Sequence, residues 1–173
     1  MRAVAPMTQM LDVTYLELRT APAAVRAPQL AGRVALERPS LEPYLTMYRR
    51  VGESLRWDQR LHMPRAELER LLESGRISIY VLREAAGEAL GFCEFDRSRF
   101  PDIELKNFGL IPEAYGQGLG PWLLSIALER EWRTGPKRIW LHTDTWDHPA
   151  AVRVYRKAGF QVMAVRHERV DDL

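Results

Sequence analysis

Glycine recurs at Gly116, Gly118 and Gly120 in the run IPEAYGQGLG, between a strand-like segment and an apolar helical one. A turn of this kind opens a helix with amides that have no intrahelical partner. Those N–H groups and the helix dipole together favour an anion, phosphate above all. Glycine lets the backbone approach a ligand closely, and Pro121 is expected at the first helical position, where its missing N–H costs nothing. Two phosphate motifs are excluded. A dinucleotide fingerprint starting at Gly116 needs Gly or Ala where Pro121 stands, and its acid should come sooner than Asp144. A nucleotide-hydrolase loop needs Gly-Lys followed by Ser or Thr, whereas Gly120 is followed by Pro121 and Trp122.

The elements that must position this turn follow from hydrophobic periodicity. VTYLELR, Val13 to Arg19, alternates as a first strand, and residues 21–33 read as an irregular connection. Leu41, Tyr44, Leu45 and Tyr48 recur at helical spacing after Ser40, a candidate N-cap, with Gly52 as the stop. A second helical piece follows Met63, with Leu68, Leu71 and Leu72 on one face and Gly75 at its end. ISIYVLRE and ALGFCEFD are β-rich and separated by a short glycine-containing connection, a hairpin signal. A third strand, Ile103 to Ile111, leads into Pro112. Helix (121–132), strand (138–145), helix (149–158) and strand (160–169) complete the order. The expected class is α/β of the α+β type: a mixed, mostly antiparallel central sheet flanked by helices.

The 173 residues suit one domain, with positions 1–12 as a loose leader that lacks both the apolar core of a signal peptide and the length of a membrane span. A net charge of +2 with both signs interspersed, and no basic stripe, argues against nucleic acid. The single cysteine, Cys93, reads as a buried small hydrophobe, which suits a reducing cytoplasm. His62, His142, His148 and His167 show no ligand spacing with Cys or carboxylates, so no metal is expected.

The turn is one of several motifs in a recognisable order. YGQGLG, Tyr115 to Gly120, is similar to a Q/R-x-x-G-x-G/A loop, with Leu110-Ile111-Pro112 at the preceding strand end. His148, Ala151, Tyr155 and Gly159-Phe160 are similar to the pattern N-x-x-A-x-x-x-Y-x-x-x-GF, and Glu104 stands eleven residues before the loop. Together they make Ile103 to Phe160 resemble the acetyl-CoA-binding core of the GNAT superfamily of N-acetyltransferases. Tyr48 to Arg60, with the segment around Tyr155, extends the resemblance to an uncharacterised bacterial branch. It implies an acyl-CoA N-acyltransferase fold whose sheet splays open, with the cofactor arm lying there like an extra strand. Acetyl-CoA would be held by Phe108, Leu110, Tyr115, Gly116, Gln117, Gly118, Leu119, Gly120 and His148. Two positions depart from the pattern: Tyr115 replaces Gln or Arg, and His148 replaces Asn.

The resemblance also implies roles. A lysine-like amine has a pKa of about 10.4 and must lose a proton before it attacks. Glu104 is the expected base, directly or through water, with Glu94 in reserve. A backbone N–H between Asn107 and Leu110 would polarise the carbonyl, with Gly109 marking a bulge. Tyr155 would protonate the departing thiolate. Tyr48, Trp57 and Arg60 would line the acceptor site, Arg60 serving an acceptor carboxylate or phosphate. The implied activity is direct transfer of acetyl to a primary amine of a small molecule or peptide, with no membrane partner; a homodimer is compatible with the sequence. A non-catalytic acyl-CoA sensor and an O-acetyltransferase remain open alternatives.

Overall fold

A computed structural model describes residues 9–29 and 32–169. Seven strands form one sheet in the order β2-β3-β4-β5-β6-β1-β7. They are β1 (Met10–Leu18), β2 (Arg33–Glu37), β3 (Ile77–Arg83), β4 (Ala89–Asp96), β5 (Asp102–Leu110), β6 (Arg138–Asp144) and β7 (Gln161–Arg169). The helices are α1 (Leu41–Gly52), α2 (Gln59–His62), α3 (Arg65–Glu73), α4 (Leu119–Trp132) and α5 (Ala151–Ala158). Every neighbouring pair is antiparallel except β5 and β6. The mixed, mostly antiparallel sheet flanked by helices is the expected class.

β3 and β4 are apolar nearly end to end, because helices cover the two faces of the sheet. On one face α1 packs through Leu41, Tyr44, Leu45, Tyr48 and Val51, spaced at three and four residues, while Arg49 and Arg50 look outward. Tyr44 and Tyr48 meet Phe92 of β4. On the other face Tyr80 and Phe95 lie edge to face, and the Tyr80 hydroxyl donates to Glu131 of α4. Residues 19–29 cross the α4–α5 layer, where the Ala23 N–H donates to the Ala158 carbonyl and the Val25 N–H to Ser125 Oγ.

Several boundaries differ from the sequence-based expectation. β1 starts at Met10, so residues 10–12 belong to a strand rather than a leader; residues 1–8 lie outside the described residues. β2 starts at Arg33, the last residue of the stretch read as irregular, and runs on through residues to which the sequence pattern assigns no element. Its five residues form an edge strand with only Val34 buried, too short and too weakly patterned to stand out. α4 starts at Leu119, so Pro121 is its third residue. That position is still inside the first turn, where no N–H is needed.

The feature that makes a site is the pairing of β5 with β6. It involves only Asp102–Glu104 against Arg138–Trp140, although β5 continues to Leu110 and β6 to Asp144. Beyond Glu104 the strands part, and at about 3.3 Å per residue the free edge of β5 runs for roughly 20 Å. No described helix is long and apolar enough to cross a membrane.

Candidate active site

Two cavities occupy the space between the parted strands. The first, of about 380 Å³, is lined by Phe108, Gly109 and Leu110 of β5, by Tyr115, Gly116 and Gly118 to Pro121 of the glycine turn, and by residues of α5 and the loop before it. The second, of about 300 Å³, is lined by residues of α1, α2 and the loop between them, by Leu105 to Phe108 of β5, and by His142, Asp144, Trp146 and Asp147. Leu55, Phe108, Asp147 and Tyr155 border both.

The glycine turn has the backbone that the sequence called for. Gly116 and Gly118 sit at φ +75° and +73°, in the left-handed region that side chains avoid, and Gly118 caps α4. The amides before Pro121 therefore have no intrahelical acceptor, and the turn that carries them borders the first cavity. Its walls are apolar, from Phe108, Leu110, Leu119, Ala151 and Val154, as suits a long flexible arm ending in phosphates. Phe108, Leu110, Tyr115, Gly116, Gly118, Leu119, Gly120 and His148 all line it. Gln117 does not: its side chain turns back and donates to the Glu113 carbonyl. The two departures from the family pattern touch one another, Tyr115 packing edge-on against His148 with ring centroids 5.2 Å apart. His148 Nδ1 also accepts the Ala150 N–H, which helps to start α5 at residue 151 rather than at Pro149.

Tyr155 projects from α5 into the junction of the cavities. It is 7% exposed and held edge-on by Phe108 and Phe160. Burial raises its phenol well above the usual range, with Asp147 adding to the effect. The hydroxyl therefore stays protonated at neutral pH, the state of a proton donor.

The β5 bulge falls at Lys106, not at Gly109. Glu94 pairs with Asn107 and Phe95 with Leu105, leaving Lys106 without a partner on β4, whereas Gly109 stays in register with Phe92. Gly109 has a different role: a Cβ there would lie 2.7 Å from Val51 Cγ1 and 3.3 Å from Trp57, so its absence lets α1 and the Trp57 ring close onto the strand.

Tyr48 and Trp57 line the second cavity, their centroids 5.7 Å apart. Tyr48 is 1% exposed, and burial pushes its phenol up to about 12. Arg60 is corrected. Its guanidinium is buried against the Glu94 carboxylate, which the Tyr44 hydroxyl also donates to, so it ties α2 to β4 instead of facing an acceptor. Removing one partner of such a buried pair costs about 3–5 kcal/mol. The same pairing takes Glu94, fully buried, out of contention as a base.

Glu104 stands at the last β5–β6 pair, accepting from Lys106 Nζ at 3.2 Å. It borders a neighbouring shelf with Tyr15, Asp102 and Trp140 rather than the cavity that Tyr155 reaches. His142 and Lys106 line both spaces. Sequence reasoning missed His142, Asp144, Asp147, Arg56 and Trp146. Alternation along β6 puts His142 and Asp144 on one face, a signal that has meaning only once the strands are known to part. Asp144 accepts the Trp146 N–H, and Asp147 accepts from the Thr143 hydroxyl and the Asp144 N–H, which fixes the loop over the junction. Arg56, at φ 57°, lays its guanidinium over Trp146 at 4.9 Å and joins the loops on the two sides of the cleft. Among the described residues no three His, Cys, Asp or Glu side chains gather as a metal site.

Comparison with known proteins accords with this geometry. No curated protein sequence matches the chain. Among solved structures, a GCN5-related N-acetyltransferase from Sphaerobacter thermophilus is similar at 18% identity and TM-score 0.61, over 92% of this chain and 52% of that one. A GCN5-related N-acetyltransferase from Kribbella flavida is similar at 18% identity and TM-score 0.65, over 91% and 58%. An IAA acetyltransferase from Bacillus cereus is similar at 19% identity and TM-score 0.56, over 76% and 79%. At these identities the likeness concerns the fold, and the chain spans about half the length of the first two. Residues 44–160, from α1 through the glycine turn to the end of α5, match the family described as Acetyltransferase (GNAT) family, and the chain belongs to it.

Proposed function

We propose that this protein transfers acetyl from acetyl-CoA directly to a primary amine of a small molecule or peptide. The observation that carries the reading is the meeting of a glycine-lipped, apolar-walled cavity and an acceptor cavity at one buried phenol, Tyr155. Such a junction suits a ternary complex, in which donor and acceptor are held together and the reaction becomes effectively unimolecular.

Acetyl-CoA supplies the thioester carbonyl and a sulfur leaving group. The amides of 116–120 and the start of α4 hold its phosphates, Phe108, Leu110, Ala151 and Val154 bed its arm, and the free edge of β5 offers N–H groups to the carbonyl. Tyr155 donates its proton to the sulfur. Trp57, Tyr48 and Trp146 enclose the acceptor, and carboxylates at Asp58, Asp144 and Asp147 suit a group that arrives as an ammonium.

The test is CoA release from acetyl-CoA over a panel that includes tryptamine, lysine, spermidine and a lysine-containing peptide, with products identified by mass spectrometry. Free thiol and N-acetyl product should appear in equal amounts. Tight acetyl-CoA binding with no turnover of any amine would identify a sensor instead, and O-acetyl product would move the activity to hydroxyls.

A further inference from the structure

We infer that His142 is the group that takes the proton from the acceptor ammonium and passes it to Glu104. This assignment rests on the acetyl-transfer reading and changes which residue meets the acceptor. Glu104, the base that the family resemblance suggested, borders the shelf on the far side of His142, whereas His142 faces both that shelf and the cavity bordered by Tyr155. The two side chains are already aligned, with His142 Nε2 lying 3.9 Å from Glu104 Oε1. That separation closes to a hydrogen bond with a small movement or one water. His142 Nδ1 is buried with no hydrogen-bond partner among the described residues. Nδ1 is thus closed to an incoming amine, and a neutral imidazole that carries its hydrogen there leaves Nε2, the nitrogen nearest Glu104, as the bare acceptor.

The surroundings keep the ring neutral. Burial is the largest influence and lowers its pKa, and Lys106 on β5 lowers it further. Glu104 on β5, Asp147 in the loop before α5 and Asp144 on β6 oppose them without reversing the direction. Tyr15 of β1 packs against the ring at 5.9 Å, while Arg56, Asp58 and His62 border the same cavity from the α1–α2 side. A base must be unprotonated when the ammonium arrives, and a histidine held below the usual 6.5 meets that condition at neutral pH.

The proton balance is complete. One ammonium N–H breaks and its proton goes to His142, then to Glu104 and to water on the open shelf. The freed lone pair forms the C–N bond as the C–S bond breaks. Tyr155 protonates the sulfur and recovers a proton from the nitrogen, which ends as a neutral amide. One proton is released per turnover.

The experiment uses whichever panel amine is turned over, with kcat/KM expressed per protonated amine between pH 5 and 9. The wild-type profile should fall on the acid side with an apparent pKa below 6.5. His142→Gln should lose that limb and about 10²-fold or more of the plateau while binding acetyl-CoA normally. Glu104→Gln removes a charge that raises the His142 pKa, so the limb should move to lower pH. Lys106→Gln should move it to higher pH, which keeps the assignment testable if His142→Gln does not fold. NMR titration of the His142 ring should show the same two shifts without any acceptor. A His142→Gln enzyme within threefold of wild type, a Glu104→Gln enzyme whose acid limb moves to higher pH, or a ring that titrates above 7 would overturn the assignment alone. A wild-type protein inert toward every amine would overturn the acetyl-transfer reading and this assignment with it.

Discussion

Tyr155 illustrates how burial suits one phenol to a step that needs a proton. At 7% exposure it has lost its hydration, so ionisation is costly and the hydroxyl remains a donor throughout the neutral range. Tyr155→Phe keeps the ring packing on Phe108 and Phe160 and removes only the proton. We expect kcat to fall by about 10²-fold with the acetyl-CoA dissociation constant changed less than threefold. Steady-state kinetics beside calorimetric binding measures both, and an unchanged single-turnover rate would dismiss Tyr155 as the acid. Because its pKa is raised, no loss of activity from Tyr155 ionisation should appear below about pH 10. Tyr155 could be read in the sequence because a linear motif carries it. His142 could not: its meaning comes from a cleft made by three separate elements, and alternation on a strand shows a face without showing what the face meets. Arg60 shows the opposite failure, since a cation in an aromatic run looked like a ligand grip until the burial of Glu94 supplied its partner.

Among the elements, the glycine turn and the β5 bulge are both backbone devices, but only one was visible beforehand. Glycine spacing announced the turn. The bulge falls on Lys106, an ordinary strand residue, because register is decided by the packing of β4 against β5 and not by local propensity. β2 was missed for a related reason: its five residues are held by pairing with β3 rather than by a pattern of their own. The turn is open to a direct test. Gly118→Val forces a β-branched residue into φ +73°, costing about 1–2 kcal/mol, and places a side chain near Pro28 beside the glycine-lipped cavity. Gly135→Ala provides the control, at φ +78° with no neighbour within 4 Å and away from the cavity. We expect comparable losses of stability, but at least about a tenfold weaker acetyl-CoA affinity for Gly118→Val alone, since misaligned amides lose charge-assisted hydrogen bonds worth about 1.5–3 kcal/mol each. Equal affinities in thermal-shift and calorimetric titrations would remove the phosphate role from this turn.

Across the whole molecule, the sheet is two units, β2-β3-β4-β5 and β6-β1-β7, whose strand pairing across the seam is only Asp102–Glu104 with Arg138–Trp140. The seam ends where the cofactor arm would begin, so a bound arm would take the place of the missing strand pairing and bridge both halves. Stabilisation on binding should then be felt globally. At a concentration about 100 times the dissociation constant, a ligand that binds only the folded state adds about 2.7 kcal/mol, roughly 5–10 °C in Tm for a chain of this size. Location distinguishes this bridging from simple mass action. Hydrogen exchange should slow most at the cleft-facing amides of Leu105 to Leu110, which have no β6 partner, and next at Leu141 to Asp144 across the gap. The β2–β3 edge, already fully paired on the inner side of β3, should change only by the global amount. Mass spectrometry of deuterium uptake with and without acetyl-CoA resolves these segments. Protection confined to the glycine turn, with residues 105–110 exchanging as before, would mean that the phosphates bind while the arm lies elsewhere, and the parted strands would lose their proposed purpose.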